Sequence, residues 1–247
     1  MRVYFLIAVI FSVFFLYGSY ATKFTIKNNC DHTIWPATQT SQGATIPTGF
    51  LLASKATQTL EIPNSWSGRL WARYLCAQYG RNFTCVSGDC ATGQITCNGA
   101  GGIPPITIVQ FTLSSWSGGN DFYSVSIVDG FNLPVSVIPI NRPDCSQIGC
   151  LVDLNDVHCA EQDEFEVRDQ GNNVIGCKSA CMAYQRDDLC CTGAYSSPQT
   201  CKPSSYSKEY KGFCPNSYTY PFDEDALFTC TGADYMIIFC PWGQGLA

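Results

Sequence analysis

Short stretches in which apolar and polar residues alternate recur along most of the chain. Lys23-Phe24-Thr25-Ile26-Lys27 has a period of two, and Thr33 to Ala37, Gln58 to Ile62 and Arg69 to Leu75 are similar. Ile106 to Leu113 is rich in β-branched residues, and Phe122 to Val128 and Tyr235 to Phe239 follow. A period of two places successive side chains on opposite faces of a strand. Turn-forming clusters separate these stretches: Gly99 to Pro105, Gly118-Gly119-Asn120 and Asp129-Gly130. Short strands punctuated in this way predict an all-β sandwich or barrel. No amphipathic helical period recurs between them, which argues against parallel βαβ units. Two short helices are expected late in the chain, near Ser179 to Arg186 and Ser205 to Lys211.

The start of the chain breaks this pattern. Arg2 precedes an almost wholly apolar run from Val3 to Leu16, and Ser19 and Ala21 supply small residues before a cut. That order predicts a cleaved secretory signal over residues 1–21, with Thr22 as the new N-terminus and residues 22–247 as the folded unit. The run is short for a membrane span and has no polar stop-transfer cluster after it. The 16 cysteines agree with export, because disulfides persist in oxidising compartments and an even count can pair completely. The formal charge of −6 excludes the basic face that nucleic acid requires, and losing Arg2 makes the chain more acidic still.

Ten of the cysteines lie between Cys145 and Cys230, so residues 145–214 read as a second region held by bridges more than by a core. A metal site is not expected: there are 2 histidines, His32 and His158, and no C-x-x-C pair. The acidic run Glu161-Gln162-Asp163-Glu164 lacks the spacing of a calcium loop and reads as a solvated face. No cofactor is implied. Asn82-Phe83-Thr84 is a glycosylation sequon in the loop between Cys76 and Cys85, where exposure is expected.

Sixteen cysteines allow about two million pairings, which spacing alone does not choose among. The chain resembles the plant thaumatin-like proteins of the osmotin and pathogenesis-related type over essentially all of residues 22–247. The stretches that carry the likeness are Asn28-Asn29-Cys30, Gly68-Arg69-Leu70-Trp71-Ala72-Arg73, Gly88-Asp89-Cys90 and Cys97-Asn98-Gly99. Further along are Pro104-Pro105, Val128-Asp129-Gly130-Phe131-Asn132-Leu133-Pro134, Cys190-Cys191, Phe228-Thr229-Cys230 and Phe239-Cys240-Pro241. Arg81 and Ser87 depart from the family signature, which has Gly and Thr there. The resemblance implies a flattened β-sandwich with disulfide-rich loop regions and short helices. It implies eight disulfides: Cys30–Cys240, Cys76–Cys85, Cys90–Cys97, Cys145–Cys230, Cys150–Cys214, Cys159–Cys177, Cys181–Cys190 and Cys191–Cys201.

It also implies an acidic cleft, lined in defence members by Arg, Glu and three Asp and associated with β-1,3-glucan. Carried over by motif, these positions are Arg69, Gln110, Ser124, Asp129 and Asp223, with Phe131 and Tyr220 as candidate sugar-stacking aromatics. Two carboxylates have been replaced, at Gln110 and Ser124. Glycoside hydrolysis ordinarily needs a proton donor and a second carboxylate, and an amide is no useful acid. Asp121, three residues before Ser124, should point to the opposite strand face. The chain therefore reads as a secreted, monomeric, extracellular defence protein of the apoplast or cell wall, binding β-1,3-glucan or another fungal-wall carbohydrate without efficient hydrolysis. The alternatives are a weak endo-β-1,3-glucanase using Asp129 and Asp223, and a protein-binding role as a hydrolase inhibitor or receptor ligand. A Ser-His-Asp hydrolase is not supported, because neither histidine is followed by a nucleophile elbow.

Overall fold

The computed structural model describes residues 21–159 and 163–242. The leader expected over residues 1–21 lies outside them apart from Ala21, as do Glu161 and Gln162 of the acidic run. Among the described residues, no helix is long and apolar enough to cross a membrane.

The alternating segments form two packed sheets. One has the order β3 (Thr57–Ile62), β1 (Thr22–Asn28), β14 (Asp234–Phe239), β8 (Val135–Ile140), β9 (Ile148–Cys150). The other has the order β12 (Ser217–Tyr218), β7 (Asn120–Ser126), β6 (Ile108–Thr112), β4 (Ser67–Tyr79), β2 (Trp35–Gln42). Two further strands attach to the second sheet: β5 (Asn82–Ser87) pairs with the far end of β4, and β13 (Phe228–Thr231) pairs with β7. The expected segments at 23–27, 58–62, 69–75, 106–113, 122–128 and 235–239 all contain strand. Around residue 35 the strand runs on through the polar stretch to Gln42, because hydrogen bonding to β4 holds it there. Strand β5 had no clear period and is fixed by Cys76–Cys85, which joins directly opposed residues.

Side chains of opposite parity fill the space between the sheets. Phe24 and Tyr235 are register partners in the first sheet, and Phe111 and Tyr123 are partners in the second. These four rings meet across the sandwich, with Phe24–Phe111 centroids 4.3 Å apart and Phe111–Tyr235 4.9 Å apart. Packed aromatic pairs contribute about 0.5–1.5 kcal/mol each beyond the area they bury. Asp121 also points inward, as its parity requires, and accepts hydrogen bonds from the Ser114 amide (2.8 Å) and the Tyr235 hydroxyl (3.0 Å).

The first and last strands lie side by side. Strands β1 and β14 pair in parallel, and Cys30–Cys240 locks their ends across 210 residues of sequence. The other seven disulfides also join the cysteines that the resemblance implied.

The region from 145 to 214 corrects an expectation. It carries α1 (Leu154–Val157), β10 (Glu166–Arg168), β11 (Val174–Cys177), α2 (Ala180–Tyr184), α3 (Asp187–Cys190) and α4 (Ser205–Phe213). The two expected helices are α2 and α4, each N-capped by a serine hydroxyl, Ser179 and Ser204. Buried packing supports it as well as bridges. Leu154, Phe165, Ile175 and Tyr210 belong to the same buried cluster as the sandwich core. His158 packs among Phe165, Tyr210 and Phe213, with ring centroids 4.7–5.7 Å away.

The loop from Gly88 to Ile106 folds over the outer face of the second sheet. Trp71 donates its indole N–H to the Gly88 carbonyl at 2.9 Å. The buried Arg73 donates to the carbonyls of Trp35 (3.1 Å) and Ile95 (2.6 Å), and burial lowers its guanidinium to about 10. Gly102 passes so close to Trp71 that a Cβ there would sit 2.6 Å from the indole nitrogen. Asn82 is exposed at the start of β5, beyond the Gly80-Arg81 turn.

Two stability predictions follow from this architecture. Replacing both Cys30 and Cys240 by Ala frees the chain ends, and unfolding free energy should fall by roughly 2–4 kcal/mol, read from urea denaturation. The second concerns Asp153, the N-cap of α1, whose carboxyl burial pushes up to about 6 with help from Asp156. The folded state binds this proton more tightly than the unfolded state, whose value is near 3.8. The stabilisation is therefore complete below that value and lost as pH rises through about 6. From about pH 4 to 7 the loss should be roughly 1–2 kcal/mol, reduced by partial exposure, and Asp153→Asn should abolish that slope.

Candidate functional site

Three of the sequence-derived residues come together by strand register. Arg69 of β4 lies opposite Gln110 of β6, which lies opposite Ser124 of β7. All three face outward, while their neighbours Leu70, Val109 and Val125 fill the core. Gln39 of β2 extends the row past Arg69. The result is a polar strip across four strands, of which Arg69, Gln110 and the buried Ser124 line a groove of about 250 Å³. The Ser124 hydroxyl points at the Gln110 side-chain oxygen from 3.5 Å, a long contact that a ligand hydroxyl could replace. Arg69 is exposed and, among the described residues, makes no ion pair.

The groove has walls that the sequence did not reveal. Parallel pairing of β12 with β7 puts Tyr218 opposite Ser126, on the outer face. Exposed Phe122 and Leu227 border the strip as well. Phe122 was within reach of sequence reasoning, since it shares the parity of Ser124 on one strand. Tyr218 and Leu227 were not, because the pairings that place them join segments some 90 to 100 residues apart in sequence.

The remaining candidates separate. Asp129 and Tyr220 line a neighbouring hollow of about 260 Å³ formed with the Cys181–Cys190 loop. Asp223 lines another of about 590 Å³, also reached by Tyr220. Asp223 is buried and committed to structure: it accepts from the Lys211 ammonium (2.9 Å), the Thr219 amide (3.0 Å) and the Thr219 hydroxyl (3.1 Å). Phe131 corrects the sequence reading, because its ring is wholly buried and its backbone pairs with Cys177. No ligand can stack on it. The expected acidic cleft is also corrected in detail. Among the described residues no carboxylate lines the Arg69 groove, and the Asp223–Asp225 cluster shares its hollow with Lys202, Lys208 and Lys211.

A carboxylate pair for bond cleavage is therefore missing from the groove that holds Arg69 and Gln110. The atoms present there donate and accept hydrogen bonds without supplying a usable proton. Among the described residues the one cluster with metal-ligand types, His158 with Cys159 and Cys177, is unsuited to a metal, since its two sulfurs are bonded to each other.

Comparison with known proteins decides the lineage. Residues 28–241 match the model of the Thaumatin family. The chain belongs to the thaumatin family. Thaumatin-like protein 1 of Castanea sativa is 46% identical, over 93% of this chain and 95% of that one. Pathogenesis-related protein 5 of Arabidopsis thaliana is 45% identical, over 95% and 98%. A Prunus avium protein named glucan endo-1,3-beta-glucosidase is 41% identical, over 91% and 92%. In this thaumatin-family chain the Arg69 strip presents a guanidinium, an amide and a hydroxyl, beside hollows lined by Asp129 and Asp223.

The commitment of Asp223 can be tested directly. Asp223→Asn leaves Lys211 without its counter-charge. It should cost about 2 kcal/mol of stability, less than the roughly 3–5 of a fully buried pair because Lys211 is partly solvated. Lys211→Met should cost a similar amount, and the double variant less than the two together, as read by thermal denaturation.

Proposed function

We propose that this thaumatin-family protein is a secreted defence protein that holds β-1,3-glucan in the Arg69–Gln110–Ser124 groove without efficiently cutting it. The observation that carries the reading is the registered row of guanidinium, amide and hydroxyl in a groove with no carboxylate. An amide and a hydroxyl each donate and accept, which suits sugar hydroxyls, and the Arg69 fork adds fixed donors. Tyr218 and Phe122 offer apolar surface beside the row, of the kind that covers a sugar face. The 41% identity to a protein named as a β-1,3-glucanase supports the choice of polymer. Eight disulfides fit an oxidising, extracellular setting such as the apoplast or cell wall.

The test incubates purified protein with insoluble β-1,3-glucan and reads the bound fraction and released reducing ends together. Binding without release is expected, and Arg69→Ala should weaken it about tenfold, as loss of a charged hydrogen-bond donor does. Gln110→Glu restores a carboxyl to the row, and any cutting should appear only in that variant. Release of reducing ends by the native chain would overturn the non-catalytic reading and return Asp129 and Asp223 to consideration. Failure to bind would overturn the glucan reading and leave a protein partner, seated on Phe122 and Leu227, as the better lead.

A further inference from the structure

The β6–β7 hairpin, whose strands carry Gln110 and Ser124, ends in a turn over residues 114–119 that presents Trp116. This indole is 66% exposed, yet the turn holds it firmly. The Ser114 hydroxyl donates to the Trp116 carbonyl (2.9 Å) and accepts from the Trp116 amide (3.2 Å), and the Gly119 amide closes the turn onto the same carbonyl (3.2 Å). The indole lies against the Gly119 backbone, where a Cβ would fall 2.9 Å from Cε2. A large aromatic plate is thus pinned on one side and open to solvent elsewhere.

Beside it is a hollow of about 380 Å³ at the edge of the sandwich, formed with the starts of β1 and β14 and the chain after β8. That volume is within the range of small-ligand sites. Asn64 and Asn141 face into it, and among the described residues neither side-chain amide has a hydrogen-bond partner. The rim carries charges of both signs. Arg142 is held by Asp144 through two hydrogen bonds (3.0 and 2.8 Å), Lys23 faces Glu61 at 4.0 Å, and Asp234 and Asp121 accept from the Lys23 and Ser114 amides (both 2.8 Å). Two unpartnered planar amides beside an open indole suit a molecule with many hydroxyls and an apolar face.

We propose that Trp116, Asn64 and Asn141 form a second saccharide subsite, separate from the Arg69 groove, that takes neutral oligosaccharides. The ring of one sugar unit stacks on the indole while Asn64 and Asn141 bind its hydroxyls. The subsite stands whether or not the Arg69 groove binds glucan. If both sites engage one insoluble polymer, the second contact becomes intramolecular and raises the overall avidity.

The test titrates the full protein with β-1,3-linked glucotriose, β-1,4-linked xylotriose and chitotriose, following tryptophan fluorescence and calorimetric heat. Of the 5 tryptophans, Trp66 and Trp71 are buried while Trp116 and Trp242 are exposed, so the Trp116 variants assign the signal. A saturable fluorescence change with at least one trisaccharide is expected. Trp116→Ala should abolish the fluorescence change with every sugar and the heat with xylotriose and chitotriose, with an unchanged melting temperature showing that the fold is intact. Trp116→Phe should lose the fluorescence change but keep calorimetric binding within about threefold, because a smaller ring still stacks. Asn64→Ala with Asn141→Ala should weaken binding about tenfold. Arg69→Ala should leave the fluorescence change untouched while weakening capture by insoluble glucan, so the two sites fail separately. Native protein binding none of the three sugars, or Trp116→Ala binding as well as native, would overturn the subsite.

Discussion

Everything in this molecule converges on the buried side chain of Asn132. Its amide nitrogen donates to the Ala72 carbonyl (3.0 Å) and the Ser87 hydroxyl (3.1 Å), and its oxygen accepts from the amides of Thr107 (3.0 Å) and Leu133 (2.9 Å). All four hydrogen-bonding positions of the side chain are filled, which a buried amide needs if it is not to destabilise its surroundings. The flanking residues extend the junction. Asp129 accepts from the Ile106 amide, Phe131 pairs with Cys177, and Pro134 accepts from the Cys240 amide. Gly130 has a left-handed backbone (φ 84°), and a Cβ there would fall 2.5 Å from Pro105. Six consecutive residues thereby tie both sheets, the disulfide region and the terminal bridge to one point.

That junction has a consequence for the groove. The strip of Arg69, Gln110 and Ser124 lies on central strands whose inner faces are packed with Leu70, Val109, Phe111, Tyr123 and Val125. Its spacing is set by hydrogen-bonded register and not by loops that adapt. A ligand there meets donors and acceptors already in place, which lowers the ordering cost of binding. Asp223 is committed to its own surroundings: its oxygens are occupied by Lys211 and Thr219.

The strands were legible where one face is buried and the other wet, since alternation then carries the signal. Thr22–Asn28 and Asp234–Phe239 are of this kind. Strands β5, β9 and β12 were not, because bridges and distant partners impose them on sequences without a period. The core beneath the disulfide region was also hidden: its aromatics, Phe165, Tyr184, Tyr206 and Tyr210, are spread over short helices and loops. Of the site, Arg69, Gln110 and Ser124 could be picked out by motif. That Phe131 is core and Asp223 is an ion-pair partner depends on what packs around each.

The sequence by itself determined the β class, an export-type cysteine content, an amide and a hydroxyl at Gln110 and Ser124, and the opposite facing of Asp121. Each is a matter of residue chemistry or strand parity, which are local. Only the tertiary structure decided that Asp223 is bonded to Lys211 and Thr219, that Tyr218 and Leu227 wall the groove, and that Trp116 borders a hollow with unpartnered amides. Those facts come from register between segments far apart in the chain. A one-residue shift in that register would turn every side chain of a strand to the other face, and only the packed core excludes it.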